Sequence, residues 1–186
     1  MALTGTFERT IDDKLRLAVP KAHKDAYGVK ESDELFLAPG NEGCLSVYSS
    51  EGFDRFAHQV AKISPGRANV RNFLRLFYAR AERVVLDKQN RIRIPDRLML
   101  HAGLQREVVI VGVNDHAEIW DKLTWEQFLS ANSKQFDDLT TEALDSFLPE
   151  PPMDAPAITD RIPCSARRVY DFEITFQLPP PFESEL

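Results

Sequence analysis

A chain of 186 residues, 43% of them hydrophobic, has material for one sizeable core or two small ones, which excludes a disordered protein. Its longest apolar runs, such as Val108-Val109-Ile110-Val111, fall far short of the roughly 18 to 20 residues a membrane span needs. Met1 to Phe7 have no secretory-signal pattern, so a cytoplasmic protein with no membrane partner is expected. The net charge of -6 is unevenly spread: residues 1–100 hold 17 Lys and Arg against 13 Asp and Glu, and residues 101–186 hold 6 against 16. A basic surface is therefore compatible with the acidic total.

The chain contains one unit twice. Ile11-Asp12-Asp13-Lys14-Leu15-Arg16-Leu17-Ala18-Val19-Pro20 aligns with Leu86-Asp87-Lys88-Gln89-Asn90-Arg91-Ile92-Arg93-Ile94-Pro95 at an offset of 75, which persists to Gly28 and Gly103. Glu34 to Leu37 then match Glu107 to Ile110 at 73, and Tyr48, Phe53 and Phe56 match Trp120, Trp125 and Phe128 at 72. Length changes of this size belong in loops.

Each copy reads as strand, turn, strand, short helix, strand, strand, helix. Val84 and Leu86, then Ile92 and Ile94, alternate with polar residues as half-buried strands do, with Asp87 to Asn90 as the turn. Pro20 and Pro95 suit first helical positions and Gly28 and Gly103 suit helix ends, which predicts helices over 20–27 and 95–102. A longer helix is expected from Ser50, and another from Thr124, whose Thr124-Trp125-Glu126-Gln127 resembles a capping box. Between the copies, Val70, Phe73, Leu74 and Phe77 recur at helical spacing, with Arg67, Arg71 and Arg75 on another face. Those arginines are a solvated face, partners of acids on the preceding helix, or phosphate contacts. The stretch from Lys62 to Arg97 holds ten basic residues and three acids, Glu82, Asp87 and Asp96.

Past Leu148 the composition turns proline-rich. Seven acids between Ser133 and Asp160 face Lys134 alone. Tyr170, Phe172, Ile174, Phe176 and Leu178 alternate with polar residues and predict a strand over 168–178 that needs a cover from its own chain or a neighbour. The expected organisation is a first repeat over 1–62, a basic linking helix over 63–80, a second repeat over 81–148 and an acidic extension over 149–186.

Catalytic chemistry is not indicated. Phosphate-loop, dinucleotide, zinc-protease and nucleophile-elbow motifs are missing from the sequence, the four histidines are scattered, and Cys44 and Cys164 lie too far apart for a metal pair. No cofactor and no metal are expected. What remains is a DxxxR turn in each copy, Asp12 to Arg16 and Asp87 to Arg91. An Asp that opens a tight turn accepts backbone N–H groups, and an Arg four residues later pairs with that carboxylate or offers its donors to phosphates or to the O6 and N7 acceptors of guanine. A turn staple and a nucleic-acid contact both fit these residues.

Thr10-Ile11-Asp12-Asp13-Lys14-Leu15-Arg16, Asp87 through Pro95, Ala102-Gly103-Leu104, Val111-Gly112-Val113 and Glu118-Ile119-Trp120 together resemble the MraZ family of bacterial transcription regulators over residues 3–140. The resemblance implies an α+β fold of two tandem SpoVT/AbrB-type swapped-hairpin units forming a pseudo-twofold domain, here followed by an extension. It also implies a nucleoid-associated homo-oligomeric ring that binds repeated double-stranded DNA sites upstream of the division and cell-wall gene cluster. The family's DNA-contacting motif falls on Asp12 and Arg16 and on Asp87 and Arg91. Lys14, Lys88 and Arg93 join them on charge and proximity. The family commonly carries Gly before the motif Arg, where this chain has Leu15 and Asn90. Asn tolerates positive φ and Leu does not, so a different turn or weaker binding is expected of the first hairpin. The competing reading is a partner-binding module of antitoxin type acting through the C-terminal tail.

Overall fold

The computed structural model describes residues 2–30, 33–62 and 66–145. The extension over 149–186, with the strand expected over 168–178, lies outside the described residues. The first copy folds as β1 (Thr6–Thr10), β2 (Arg16–Ala18), α1 (Lys21–Tyr27), β3 (Glu34–Pro39), β4 (Leu45–Ser49) and α2 (Ser50–Ala61). After α3 (Ala68–Arg80), the second gives β5 (Glu82–Val85), β6 (Arg91–Arg93), α4 (Asp96–His101), β7 (Glu107–Val113), β8 (His116–Asp121) and α5 (Lys122–Asn132), with α6 (Phe136–Asp145) beyond it. The expected order of elements is present in both copies.

The strands do not pair within their own copy as simple hairpins. A six-stranded antiparallel sheet runs β1-β7-β8-β4-β3-β5, and β2 pairs only with β6. Exchanging the copies reverses the six-strand order onto itself, so the sheet has a pseudo-twofold axis between β4 and β8. Each opening strand crosses to the other copy: Thr6–Thr10 pairs with Val111 back to Glu107, and Glu82–Val85 pairs with Leu37 back to Glu34. The same axis passes through Leu17 and Ile92, which face each other in the β2–β6 pair. Val19 N–H donates to the Asn90 carbonyl at 2.9 Å and Ile94 N–H to the Leu15 carbonyl at 2.8 Å, one bond made twice.

The alternation read from the sequence is the burial pattern. Leu17, Leu86, Ile92 and Ile94 are buried with Leu35, Leu37, Leu45, Val108, Ile110 and Ile119 in a core shared by both copies. Neither copy could bury this surface alone. A second cluster joins Ala38, Tyr48, Phe53 and Phe77, with Phe36 stacked on Phe53 at 4.4 Å. Trp120, Trp125 and Phe128 form the matching aromatic group of the second copy. Gly112 is where the N-terminal segment crosses: a Cβ there would meet Thr4 N at 2.5 Å, and Gly112 N–H donates to the Gly5 carbonyl.

Several boundaries differ from the sequence expectation. Helix α5 starts at Lys122, because Asp121 is its cap and accepts from Leu123 N–H at 3.1 Å, which places Thr124 inside the helix. A buried carboxylate that also accepts from Gln105 N–H outcompetes the Thr124 hydroxyl for the capping position. Pro20 and Pro95, expected as first helical residues, sit instead at the N-caps, one position before Lys21 and Asp96 where the helices begin. Gly28 is the left-handed cap of α1 at φ 70°, as expected. Ser49 caps α2 by accepting from Gly52 N–H. The linking helix begins only at Ala68, with Arg67 at its cap.

Candidate nucleic-acid interface

Both DxxxR segments form the same turn. Leu15 N–H donates to the Asp12 carbonyl at 2.9 Å, and Asn90 N–H to the Asp87 carbonyl at 2.9 Å. Each is followed by a left-handed residue, Leu15 at φ 57° and Asn90 at φ 56°. A tight turn closed by a residue at positive φ is the usual three-residue reversal. The different turn that Leu15 leads one to expect in the first hairpin is not found: its backbone repeats that of the second. Leu15 is half-buried against the core, and that packing offsets the cost of its backbone conformation.

The aspartates organise each turn. One Asp12 oxygen accepts from Lys14 N–H and Arg16 N–H, both at 2.9 Å, while the other receives Arg16 Nε and Nη2, both at 2.7 Å. Asp87 repeats this: Gln89 N–H at 2.8 Å and Arg91 N–H at 2.9 Å on one oxygen, Arg91 Nε at 2.9 Å and Nη2 at 2.8 Å on the other. The Arg16 backbone N–H, then the Arg16 guanidinium, hold the Asp12 carboxyl below its ordinary value. The Arg91 guanidinium, then its backbone N–H, do so for Asp87. Both carboxylates stay ionised at neutral pH, and the staple read from the sequence is present in both copies.

Stapling does not exhaust the guanidiniums. A paired Nε and Nη2 leave the other donors of each Arg for a further acceptor, on a plane already fixed in orientation. Because β2 lies beside β6, the two turns are neighbours, and Arg91 Nη1 comes within 3.8 Å of the Asp12 carboxylate of the other copy. Lys14 and Lys88 are exposed at the turn tips. Arg93 faces Arg16 in the strand register and is exposed, with Asp96 at 3.8 Å. All seven sequence-selected residues thus fall on one patch built from both copies.

Lys24 is the patch residue that sequence reasoning passed over. From α1 its ammonium donates to the Asn90 side-chain oxygen at 2.6 Å, tying the first copy's helix to the second copy's turn. The repeat alignment carried the signal. Lys24 and Asn90 match Met99 and Leu15, so a polar pair on one side of the axis is replaced by an apolar pair on the other. Counting Lys24, the patch holds six cations against Asp12, Asp13, Asp87 and Asp96. That modest excess suits oriented donors more than a strong general attraction for polyanions.

An antiparallel sheet completed by strand exchange between two halves, with a paired Asp–Arg turn in each half, defines an α+β domain of swapped-hairpin type. The family model for the MraZ protein matches residues 77–147. The chain is 36% identical over 142 residues to the transcriptional regulator MraZ of Pediococcus pentosaceus, covering 76% of this chain and 96% of that one. It is 35% identical over 141 residues to the transcriptional regulator MraZ of Moorella thermoacetica, with 76% and 96% covered. Among solved structures, the solution structure of PHS018 from Pyrococcus horikoshii is similar at TM-score 0.31 and 14% identity, covering 62% of this chain and 95% of that one. The chain belongs to the MraZ family of transcriptional regulators. These relatives are named as regulators and not as enzymes, and no described helix is long and apolar enough to cross a membrane.

Proposed function

We propose that this chain is a sequence-specific DNA-binding regulator that acts without catalysis and reads promoter repeats through the composite patch of Asp12, Lys14, Arg16, Asp87, Lys88, Arg91 and Arg93. The observation that carries the reading is the duplicated clamp, two guanidiniums held by two aspartates and brought together by the β2–β6 pair. Oriented guanidiniums recognise the O6 and N7 edge of guanine, while the exposed Lys14, Lys88 and Arg93 take phosphates. One patch with a small charge excess binds weakly. A homo-oligomeric ring engaging successive operator repeats supplies avidity, and the repeats it serves lie upstream of the division and cell-wall genes.

The test is fluorescence anisotropy on the promoter DNA of the chain's own gene and on a scrambled duplex, across a salt series. The reading expects promoter preference with a steep salt slope. It also expects Arg16→Ala and Arg91→Ala each to abolish that preference while the assembly keeps its mass. Equal weak binding to both duplexes would reject it in favour of a protein partner gripped by the tail.

A further inference from the structure

The two turns share a backbone and differ at their tips. Asp13, Lys14 and Leu15 of the first match Lys88, Gln89 and Asn90 of the second. Lysine and arginine only donate, which suits the O6 and N7 acceptors of guanine. Adenine presents its N7 acceptor beside an N6 amino group, so a side chain that reads it must donate and accept at once. Few groups on the patch can do so. The Asp12 and Asp87 carboxylates are held by their own turns and by Arg16 and Arg91. The Asn90 side-chain oxygen takes the Lys24 ammonium at 2.6 Å, which leaves Asn90 only its amide donors. Asp13 is exposed, but a carboxylate only accepts. Gln89 is exposed at the second tip, and among the described residues its side-chain amide has no hydrogen-bond partner.

We propose that Gln89 is a specificity-determining residue whose amide reads an adenine in the base pair adjoining the guanine taken by Arg91. The inference rests on the DNA reading proposed above and deepens it. One oxygen of Asp87 accepts from Gln89 N–H at 2.8 Å and from Arg91 N–H at 2.9 Å, so both readers are anchored at one point and address neighbouring base pairs. Lys24 pins Asn90, the residue between them. At the matching site the first tip has Lys14, which carries no acceptor, and its Leu15 faces Met99 in place of a lysine. One turn and not both therefore makes the adenine contact, which fixes the orientation of the pseudo-twofold patch on its site.

Fluorescence anisotropy tests this on the promoter duplex of the chain's own gene and on a panel in which each A·T pair of the repeat is replaced in turn by G·C. One replacement should weaken the parent about tenfold, the scale of one bidentate base contact, and leave Gln89→Ala unaffected. The other replacements should act on both proteins alike. Gln89→Lys, which gives the second tip the side chain of the first, should prefer G·C at that one position. Gln89 is exposed and Lys14 occupies its counterpart, so both variants keep the fold, which circular dichroism checks. Gln89→Ala with the parent's sensitivity at every position would overturn the inference and leave the DNA reading standing. An equal loss on promoter and scrambled duplexes would do the same, since it marks a backbone contact. A parent without promoter preference would overturn the DNA reading and this inference with it.

Discussion

Asp12 and Arg91 belong to different copies of the repeat, yet the Asp12 carboxylate lies 3.8 Å from the Arg91 guanidinium. Asp12 already holds Arg16 at 2.7 Å, so it faces two guanidiniums. Among the described residues the ion pair of Asp87 is with Arg91 alone, at 2.8 Å. The two turns are alike in backbone and unequal in electrostatics.

That inequality sets the first prediction. Asp12→Asn should loosen both arginines and cut the preference for promoter over scrambled DNA by roughly tenfold, the scale of one oriented base contact. Affinity for scrambled DNA should hold or rise, because a negative charge leaves the patch. Asp87→Asn should show a smaller loss of preference. Anisotropy on both duplexes checks this, and a uniform loss on both would show that the carboxylates serve folding alone.

Arg93 should behave differently from the stapled arginines. It is 70% exposed with Asp96 no closer than 3.8 Å, the situation of a mobile cation. Arg93→Ala should weaken promoter and scrambled duplexes by the same factor and lower the salt slope by about one, with preference retained. A selective loss on the promoter would move Arg93 among the base-reading residues.

Much of this arrangement was legible in the sequence because the repeat was written twice. Alternation at Val84, Leu86, Ile92 and Ile94 reported burial, and the DxxxR spacing reported the turn. The conformation of Leu15 was not legible, since local propensity argues against positive φ and only the packing supplied by the other copy offsets it. The start of α5 was missed because the competing cap, Asp121, is recruited by Gln105 from outside the helix. The hydrogen bond from Lys24 to Asn90 spans 66 positions and follows from the exchanged strands, which no local pattern announces.

Leu15 itself gives a test of backbone strain. Left-handed geometry costs a non-glycine residue about 1–2 kcal/mol, more for a β-branched one. Leu15→Ile keeps the side-chain volume and should lower the melting temperature by several degrees. Leu15→Gly trades relief of strain for lost packing and should stay close to the parent. Thermal unfolding followed by circular dichroism separates the two, and equal losses would mean that packing alone matters at this position.

Two histidines should set opposing pH dependences. His23 is 1% exposed on α1, its Nε2 bonded to the Thr4 carbonyl at 3.1 Å and its ring edge-on to Phe7. Burial lowers its pKa below the ordinary 6.5, so the unfolded chain takes up the proton first and stability falls as pH drops below about 6.5. For His116, burial acts to lower the pKa, but hydrogen bonds to Glu118 and Asp115 outweigh it and the net shift is upward. Its contribution is present in full below 6.5 and is lost as pH rises through the folded value. His23→Leu, the residue type of Leu98 at the matching site, should flatten the loss on acidification. His116→Gln should steepen it. Melting temperatures between pH 5 and 8 check both, and parallel curves for parent and variants would overturn both assignments.

Tyr27 occupies a rung of the central sheet. Its hydroxyl donates to the Val47 carbonyl at 2.6 Å and accepts from Ala117 N–H at 3.0 Å, groups that face each other across the β4–β8 pair. Burial pushes the hydroxyl pKa well above its ordinary value, so it stays protonated and remains a donor at any working pH. The second copy has Ala102 at the matching position, so this bridge between the halves is made once. Tyr27→Phe keeps the ring and leaves a buried N–H and C=O without their partner, at about 1–3 kcal/mol for each group. The two strands closing directly on each other recover part of that, which puts the expected loss at roughly 2 kcal/mol. Urea unfolding should show a lower midpoint at an unchanged slope, because the surface exposed on unfolding is the same. A midpoint equal to the parent's would mean that Val47 and Ala117 pair without the hydroxyl.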